Sequence, residues 1–446
     1  MSQLELKLAI EMLQAKKKGH DRNYAYYDGI HPLVYADQRL YDVFGNTGQP
    51  EFVQNWIAAI VDSTLNRMEL TRFIVTGDNG QDEDEDLSQR LNQLWQHSGM
   101  TADEDDIELA MLVTGEAYAM AEVDDADGIT GFNNDPRLCH LFMRPDNPKK
   151  PWFGVKVWED MRQQWHCQLY FDDRIEYYET RTAIMPDEIP QEKQRRQYKS
   201  LETLTWQAFQ PSDIPELPNP YGRIPMSRFR LNNRLLAGML LDLIPAQNSI
   251  NKLLADMMLV AEYGVFPQRW MITNANTELL KNSPSTIWTL PAGDSMSEPT
   301  KIGQFDAADL TPYLQAIANH VTYMFIASAT PRHYMENAGA SLSGEALMTM
   351  ESQLVAKINT INAKRLAPGY ADFASLLLLL DGAEVSPMRI KPQFANPETV
   401  QPETMARITQ TLTQAGAAIE AAARQAGYTM AQANELATFF VDGVTQ

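Results

Sequence analysis

The apolar residues of this 446-residue chain follow a helical period, switch to a strand period near residue 115, and return to a helical period near residue 232. One face recurs every 3.6 residues in a helix and every two in a strand, so a segment patterned for one cannot serve as the other. The chain is therefore expected to be α+β and mostly helical, with a β-rich portion between two helical ones. Residues 3–19 carry Leu6, Ile10 and Leu13 at helical spacing, and residues 20–50 read as turn-rich and aromatic. A second helix is expected over 51–72, with Val53, Ile57, Ile60, Val61, Leu65 and Met68 on one face. Two more follow at 86–97 (Leu87, Leu91, Leu94) and 104–114 (Ile107, Ala110, Met111).

From 115 to 210 the segments EAYAMAEV, RLCHLFMR, FGVKVWE, WHCQLYF and LETLTWQAF alternate or are rich in aromatics. They predict an antiparallel sheet joined by hairpins. Pro211, Pro215, Pro218, Pro220 and Pro225 then mark an extended connector. The second helical portion opens at 232–263, where Pro245 is expected to kink the run. A mixed segment of short strands and turns follows at 264–306, then a helix over 309–328 and the polar loop ATPRHYMENAGASLS. A long helix is expected from Gly344 to Leu380, with Leu347, Met350, Leu354, Ile358 and Ile361 on one face. The last 45 residues read as two Ala-rich helices, the second opening on a capping box of Thr429 and Gln432. No repeat recurs at a fixed period.

Hydrophobic residues make up 44% of the chain, enough to fill cores for two or three domains. The net charge is −21, the opposite of the basic balance of a free-standing nucleic-acid binder. Two cysteines, Cys139 and Cys167, are too few for a disulfide scaffold and fit a reducing compartment. The N-terminal segment ends, rather than begins, in basic residues, unlike a signal peptide. No apolar run reaches the roughly 18 residues of a membrane span, so no membrane partner is expected.

The search for chemistry assigns no catalytic residue and no cofactor. No Gly precedes a Lys and no His precedes a Glu, so the phosphate-binding Walker loop and the H-E-x-x-H zinc motif are both missing. Gly339-Ala340-Ser341-Leu342-Ser343-Gly344 has the wrong spacing for a nucleophile elbow. Ser343 instead reads as the cap of the long helix, with Glu345 favourably placed in its first turn. Cys139-His140 and His166-Cys167 invite a zinc reading, but adjacent strand residues point to opposite faces. Each Cys should face the apolar side and its His away, so no metal site is expected there. Residues 77–127 hold sixteen Asp or Glu and one Arg. Asp125-Ala126-Asp127-Gly128 resembles part of a calcium loop, but Val123 occupies the first ligand position and no Glu closes it. A solvated outer face is the simpler expectation. The basic groups Lys16 to Lys18, Lys193 to Lys199 and Arg223 to Arg234 read as solvated faces or contacts between subunits.

Several segments, in order, resemble the portal proteins of tailed bacteriophages. They are the N-terminal helix followed by YYDGIHPL, QNWIAAIVDSTLNRMEL before the acidic stretch, and NPYGRIPMSRFRLNNR before the helix IPAQNSINKLLADMMLVAEYGVFPQRW. The clearest is ATPRHYMENAGASLSGEALMTMESQLVAKI, where a loop ends in Ser-Gly-Glu-Ala-Leu and opens a long helix. The resemblance implies a wing over 1–231, helical over 1–114, β-rich over 115–210 and a connector over 211–231. It implies stem helices at 232–263 and 307–328, a clip at 264–306 and a tunnel loop at 329–342. The long kinked helix and the crown would take 343–446. It also implies a ring homo-oligomer, usually a dodecamer, at the portal vertex of the virion, assembled in the host cytoplasm. The implied partners are the large terminase, a head-completion or adaptor protein, the major capsid and scaffolding proteins, and double-stranded DNA passing without sequence specificity. Arg332, His333, Asn337, Ser341 and Ser343 are the candidate DNA-channel residues, Gly344 and Glu345 the helix start behind them, and Pro245 the stem kink. Two other readings stand beside this one: another head-tail connector or neck ring component, and a metal-dependent enzyme using the carboxylates of 77–127.

Overall fold

A computed structural model describes residues 3–32, 53–77, 80, 82–124, 128–161, 164–180, 201, 205–208, 216–232, 237–264, 269–272, 301–335, 344–398 and 402–416, with 419, 422–423 and 436 beyond. The chain divides into two units. The larger combines 1–28, 57–242 and 325–446, and the smaller combines 29–56 and 243–324.

In the larger unit, α1 runs Gln3–Tyr27, eight residues past the expected end. Gly19 costs a helix only about 1 kcal/mol relative to Ala. The inward stripe of Ala9, Leu13, Lys16, His20 and Asn23 continues through it at helical spacing. The apparent turn at residue 20 therefore lies inside the helix. The helix expected over 51–72 is α2, Trp56–Leu65, and Leu70–Val75 is strand β1 instead. Phe73 and Val75 on β1 are buried, and their two-residue spacing is that of a strand. Helices α3 (Glu85–His97) and α4 (Met100–Thr114) follow. The Asp84 side chain accepts from the Leu87 N–H at 3.1 Å and caps α3. Gly115, at φ +93°, ends α4, where a Cβ would lie 2.6 Å from the Ala237 backbone.

The expected antiparallel region is two sheets. Strands β2 (Glu116–Asp124) and β3 (Gly128–Asn134) form one sheet with β10 (Met226–Arg230), in the order β10-β2-β3. The other sheet begins with β4 (Cys139–Met143), β5 (Pro151–Glu159), β6 (Trp165–Tyr170) and β7 (Arg174–Thr180). Strand β8 (Trp206–Ala208) continues the order, and β9 (Glu216–Pro218) also pairs with β7. The proline-rich connector thus contributes two strands, with Pro218 at the end of β9 and Pro225 just before β10, where no ladder N–H is needed.

This second sheet is covered on both faces. Ala9, Ile10 and Leu13 of α1 pack on Phe153, Val155, Val157, Cys167 and Leu169. Tyr118, Met120 and Met226 pack on Cys139, Leu141, Tyr170 and Ile175 from the other side. The expected apolar and polar faces are therefore both interior.

Helix α7 (Gly344–Ile361) passes through a π turn (Asn362–Leu366) into α8 (Ala367–Leu380), so the long helical run to Leu380 is present with one register change in it. Strand β13 (Ile390–Phe394), unforeseen from the sequence, pairs antiparallel with β1. Tyr370 and Phe373 of α8 meet Trp95 edge-on at 5.6 and 6.0 Å. Part of the segment expected as the long kinked helix and crown thus shares a core with Trp95 of α3. Helix α9 (Pro402–Gln414) lies within the last 45 residues but holds a single Ala, and the capping box at Thr429 lies outside the described residues.

In the smaller unit, α5 is Leu243–Gly264. Strands β11 (Arg269–Ile272) and β12 (Lys301–Gln304) pair antiparallel. Helix α6, Thr311–Ala327, carries the chain from there back into the larger unit. Pro245 does not kink α5. It sits in the first turn, where backbone N–H groups have no helical partner to lose. Gln247 fixes this end, its side chain donating to Gln54 O at 2.6 Å and accepting from Trp56 N at 3.1 Å.

Candidate functional site

The segment after α6 is tied to its surroundings by a short series of hydrogen bonds. Thr330 N donates to Phe325 O at 2.9 Å and closes the helix, with Ala329 at φ +58° to make the turn. That φ is strained for a residue with a side chain. Two contacts compensate. The Ser328 and Thr330 hydroxyls lie 2.8 Å apart, and Lys357 Nζ of α7 donates to Ser328 O at 2.9 Å. Burial lowers the Lys357 pKa to about 8.

The next residues, Arg332–Tyr334, form a 3-10 turn gripped from three directions. Glu351 of α7 accepts both terminal nitrogens of Arg67, each at 3.1 Å. The same guanidinium donates to Pro397 O at 2.9 Å and to the Tyr334 hydroxyl at 2.5 Å. Tyr334 in turn donates to Glu351 Oε1 at 3.1 Å. The Glu351 side chain is 7% exposed and that of Arg67 18%, so solvent screens this bidentate pair only partly. Burial raises the Tyr334 hydroxyl to about 12.

Of the expected channel residues, Arg332 is exposed on this turn. His333 instead turns inward, with Nε2 3.5 Å from Glu351 Oε1 and its ring 4.6 Å from that of Tyr334. Asn337, Ser341 and Ser343 lie outside the described residues. Gly344 and Glu345 open α7 as expected from the sequence, and their side chains are outside the description. Pro245 belongs to the other unit. The residues sequence reasoning missed are Arg67, Tyr334, Glu351 and Lys357. Arg67 and Glu351 are 284 positions apart, and no local pattern marks such a pair.

A second polar cluster is fully interior. Lys16 Nζ donates to Glu116 Oε1 at 2.6 Å and to Cys139 O at 2.8 Å. Tyr118 donates to Glu116 Oε2 at 2.7 Å, and its hydroxyl lies 2.8 Å from His140 Nδ1. Attraction to Lys16 keeps the Glu116 carboxyl below its ordinary pKa despite burial. Burial depresses His20 to about 4 and His140 to about 3, with Lys16 adding to both. Lys16 is thus a core residue, not part of a solvated basic run. His140, expected to face away from the core, is 7% exposed because the sheet has no open face there.

Cys139 and Cys167 are both buried and belong to the cores on opposite faces of the sheet. Among the described residues no three His, Cys, Asp or Glu side chains converge as a metal site would require. The acidic stretch is not uniformly solvated. Glu104 accepts from Leu70 N at 2.7 Å, and Glu108 accepts from the Tyr370 hydroxyl at 3.0 Å. Desolvation raises these carboxyls to about 7 and about 9. Among the described residues no helix is long and apolar enough to cross a membrane.

The family model for the phage portal protein, SPP1 Gp6-like, matches residues 7–425. No curated protein matches the chain. Among the solved structures that resemble it are two at low identity. One is the neck of an empty GTA particle computed with C6 symmetry, 11% identical, covering 87% of this chain and 92% of its own at a TM-score of 0.44. The other is the virion of a native gene transfer agent particle, 10% identical, covering 87% and 91% at a TM-score of 0.43.

Proposed function

The chain belongs to the SPP1 Gp6-like phage portal proteins, a structural family, and from that premise we propose that it is the ring-forming subunit of a portal vertex. The family match across residues 7–425 carries this reading. In it, the ring encloses a channel through which double-stranded DNA is packaged, retained and ejected. The ring also offers a docking surface to the large terminase and then to a head-completion or adaptor protein. It sits in the virion among the major capsid and scaffolding proteins, after assembly in the host cytoplasm.

The order of elements supports the assignment. A long helix, a paired strand segment and a second long helix run from α5 through β11 and β12 to α6, as stem, clip and stem require. In this reading the anchored turn at Arg332–Tyr334 belongs to the tunnel loop of 329–342, and α7 follows. A dodecamer multiplies the −21 of each chain, so the ring as a whole repels a polyanion more than it grips it. Arg332, exposed on the turn, supplies weak contact independent of sequence.

Negative-stain microscopy of the purified chain tests the reading. A ring with a central hole of DNA width supports it, and a compact monomer ends it. In a packaging assay with the cognate terminase, Arg332→Glu is expected to lower DNA retention while rings still form. Unchanged retention would remove Arg332 from the channel.

A further inference from the structure

We infer that the groove lined by the second half of α7, Arg365, Leu231 and Met239 seats a carboxylate-bearing apolar segment from a neighbouring copy of this chain. The chain has 58 Asp and Glu against 37 Lys and Arg, yet no acid occurs from Ser352 to Ala371. Within that stretch Lys357 and Arg365 line a groove of about 510 Å³ whose walls include Leu231, Met239 and Ile361. Thr360 lines it too and is exposed. Among the described residues, the hydrogen bonds of Lys357 go to Ser328 O and Thr64, both neutral. Its depressed pKa has burial as its whole cause, without a carboxylate to offset it. No carboxylate partner is found for Arg365 among the described residues either. Arg365 belongs to the π turn, a helix irregularity that recurs at functional positions.

Two cations without counter-charges, one of them largely desolvated, are costly to hold. A carboxylate entering the groove would form charge-assisted hydrogen bonds and relieve that cost. The apolar walls choose between sources of the anion. A duplex offers phosphates on a hydrated surface and would leave Leu231, Met239 and Ile361 uncovered. An Asp or Glu beside aliphatic side chains fills both parts of the groove. The inference rests on the ring reading, which puts an identical chain with a surplus of 21 acidic charges against every subunit.

Thiol labelling tests it on the full chain. Cys139 and Cys167 are buried, so Thr360→Cys adds an accessible thiol in the groove. A maleimide should modify it at least about tenfold more slowly in assembled rings than in dissociated subunits. Arg365→Glu should shift the assembly midpoint to about tenfold higher protein concentration, read by mass photometry. Equal labelling in the two states together with unshifted assembly overturns the inference. Loss of duplex DNA binding by Arg365→Glu, with assembly and labelling unaffected, also overturns it and reassigns the groove to phosphate. Failure of the unsubstituted chain to form rings would overturn the portal reading itself, a result distinct from both.

Discussion

Glu104 and Glu108 lie one turn apart on α4 in surroundings that disfavour a carboxylate. The sequence shows them within an acidic run, and composition alone says solvated face. What decides otherwise is Tyr370, 262 positions away from Glu108, which brings α8 over the helix. The pH dependence follows from the direction of the shift. An acid whose folded pKa lies above its unfolded value holds its proton more tightly when folded. Its contribution to stability is complete below the unfolded pKa, near 4.5 for Glu108, and is lost as pH rises toward about 9. Glu108→Gln retains a neutral side chain at every pH, so it should unfold at nearly the same temperature as the parent near pH 5. It should then become the more stable protein as pH rises, by at most about 1.4 kcal/mol per unit. Thermal unfolding at about pH 5, 7 and 9 reads this directly, and a constant difference between the two proteins would show that Glu108 is ionised throughout. His20 and His140 act at the acid end with the opposite sign. Their folded pKa values lie below the ordinary 6.5, so stability is complete above that value and falls as pH drops toward about 4 and about 3. Acid unfolding should therefore begin below about pH 6.5, and His140→Phe should move its midpoint downward.

At the scale of elements, the alternation of EAYAMAEV and WHCQLYF made the central strands readable, because period 2 is a local signal. Strand β1 was not readable. LTRFIV follows directly on the turn after α2, and its apolar residues extend the helical stripe without a break in the pattern. Strand β13 was hidden by Pro392, which lies opposite Phe73 in a two-stranded sheet that has edges to spare. What identifies both is their pairing with each other, a contact between residues more than 300 positions apart. The docking of α1 on its sheet was half legible. Ala9, Ile10 and Leu13 announce a buried face, whereas Lys16 on the same face looks like a boundary. Its partner Glu116 makes Lys16 an anchor, and the pair predicts a specific asymmetry. Lys16→Met leaves a carboxylate in the core with its main counter-charge gone and should cost about 3–5 kcal/mol. Lys16→Met combined with Glu116→Gln should recover most of that loss. Denaturant unfolding of the two single variants and the double variant measures the coupling, and additive effects would show that the two charges do not depend on each other. The same logic applies to the loop base. Arg67→Ala removes the bidentate partner of Glu351 and the donor to Tyr334. The amides of Thr330 and of 332–335 should then exchange with solvent about tenfold faster, while the sheet cores keep their protection. Faster exchange throughout the larger unit would mean that Arg67 supports the whole core and not the turn.

For the whole molecule, charge is the property that most limits what the ring can do. A protein that grips duplex DNA neutralises many phosphates, and its affinity then falls steeply with salt in proportion to the number neutralised. This chain has a net charge of −21, and several of its cations are already committed. Lys16 pairs with Glu116, Arg67 with Glu351, Arg137 with Asp135 and Asp21, and Arg223 with Asp372. Arg332, exposed on the turn after α6, is one of the cations left to meet a phosphate. Assembled rings should therefore bind linear duplex DNA more weakly than the roughly 10⁻⁴ to 10⁻⁶ M typical of non-specific binders at physiological salt. The dependence of log affinity on log salt should be shallow, with a slope of about −1 to −2. Arg332→Glu should abolish what binding remains. Fluorescence anisotropy of a labelled duplex at several salt concentrations gives both quantities. A steep slope would mean that the channel holds DNA by many phosphate contacts. Retention of a packaged genome would then be electrostatic adhesion. A shallow slope would mean that few phosphates are neutralised and that adhesion over many contacts does not hold the DNA.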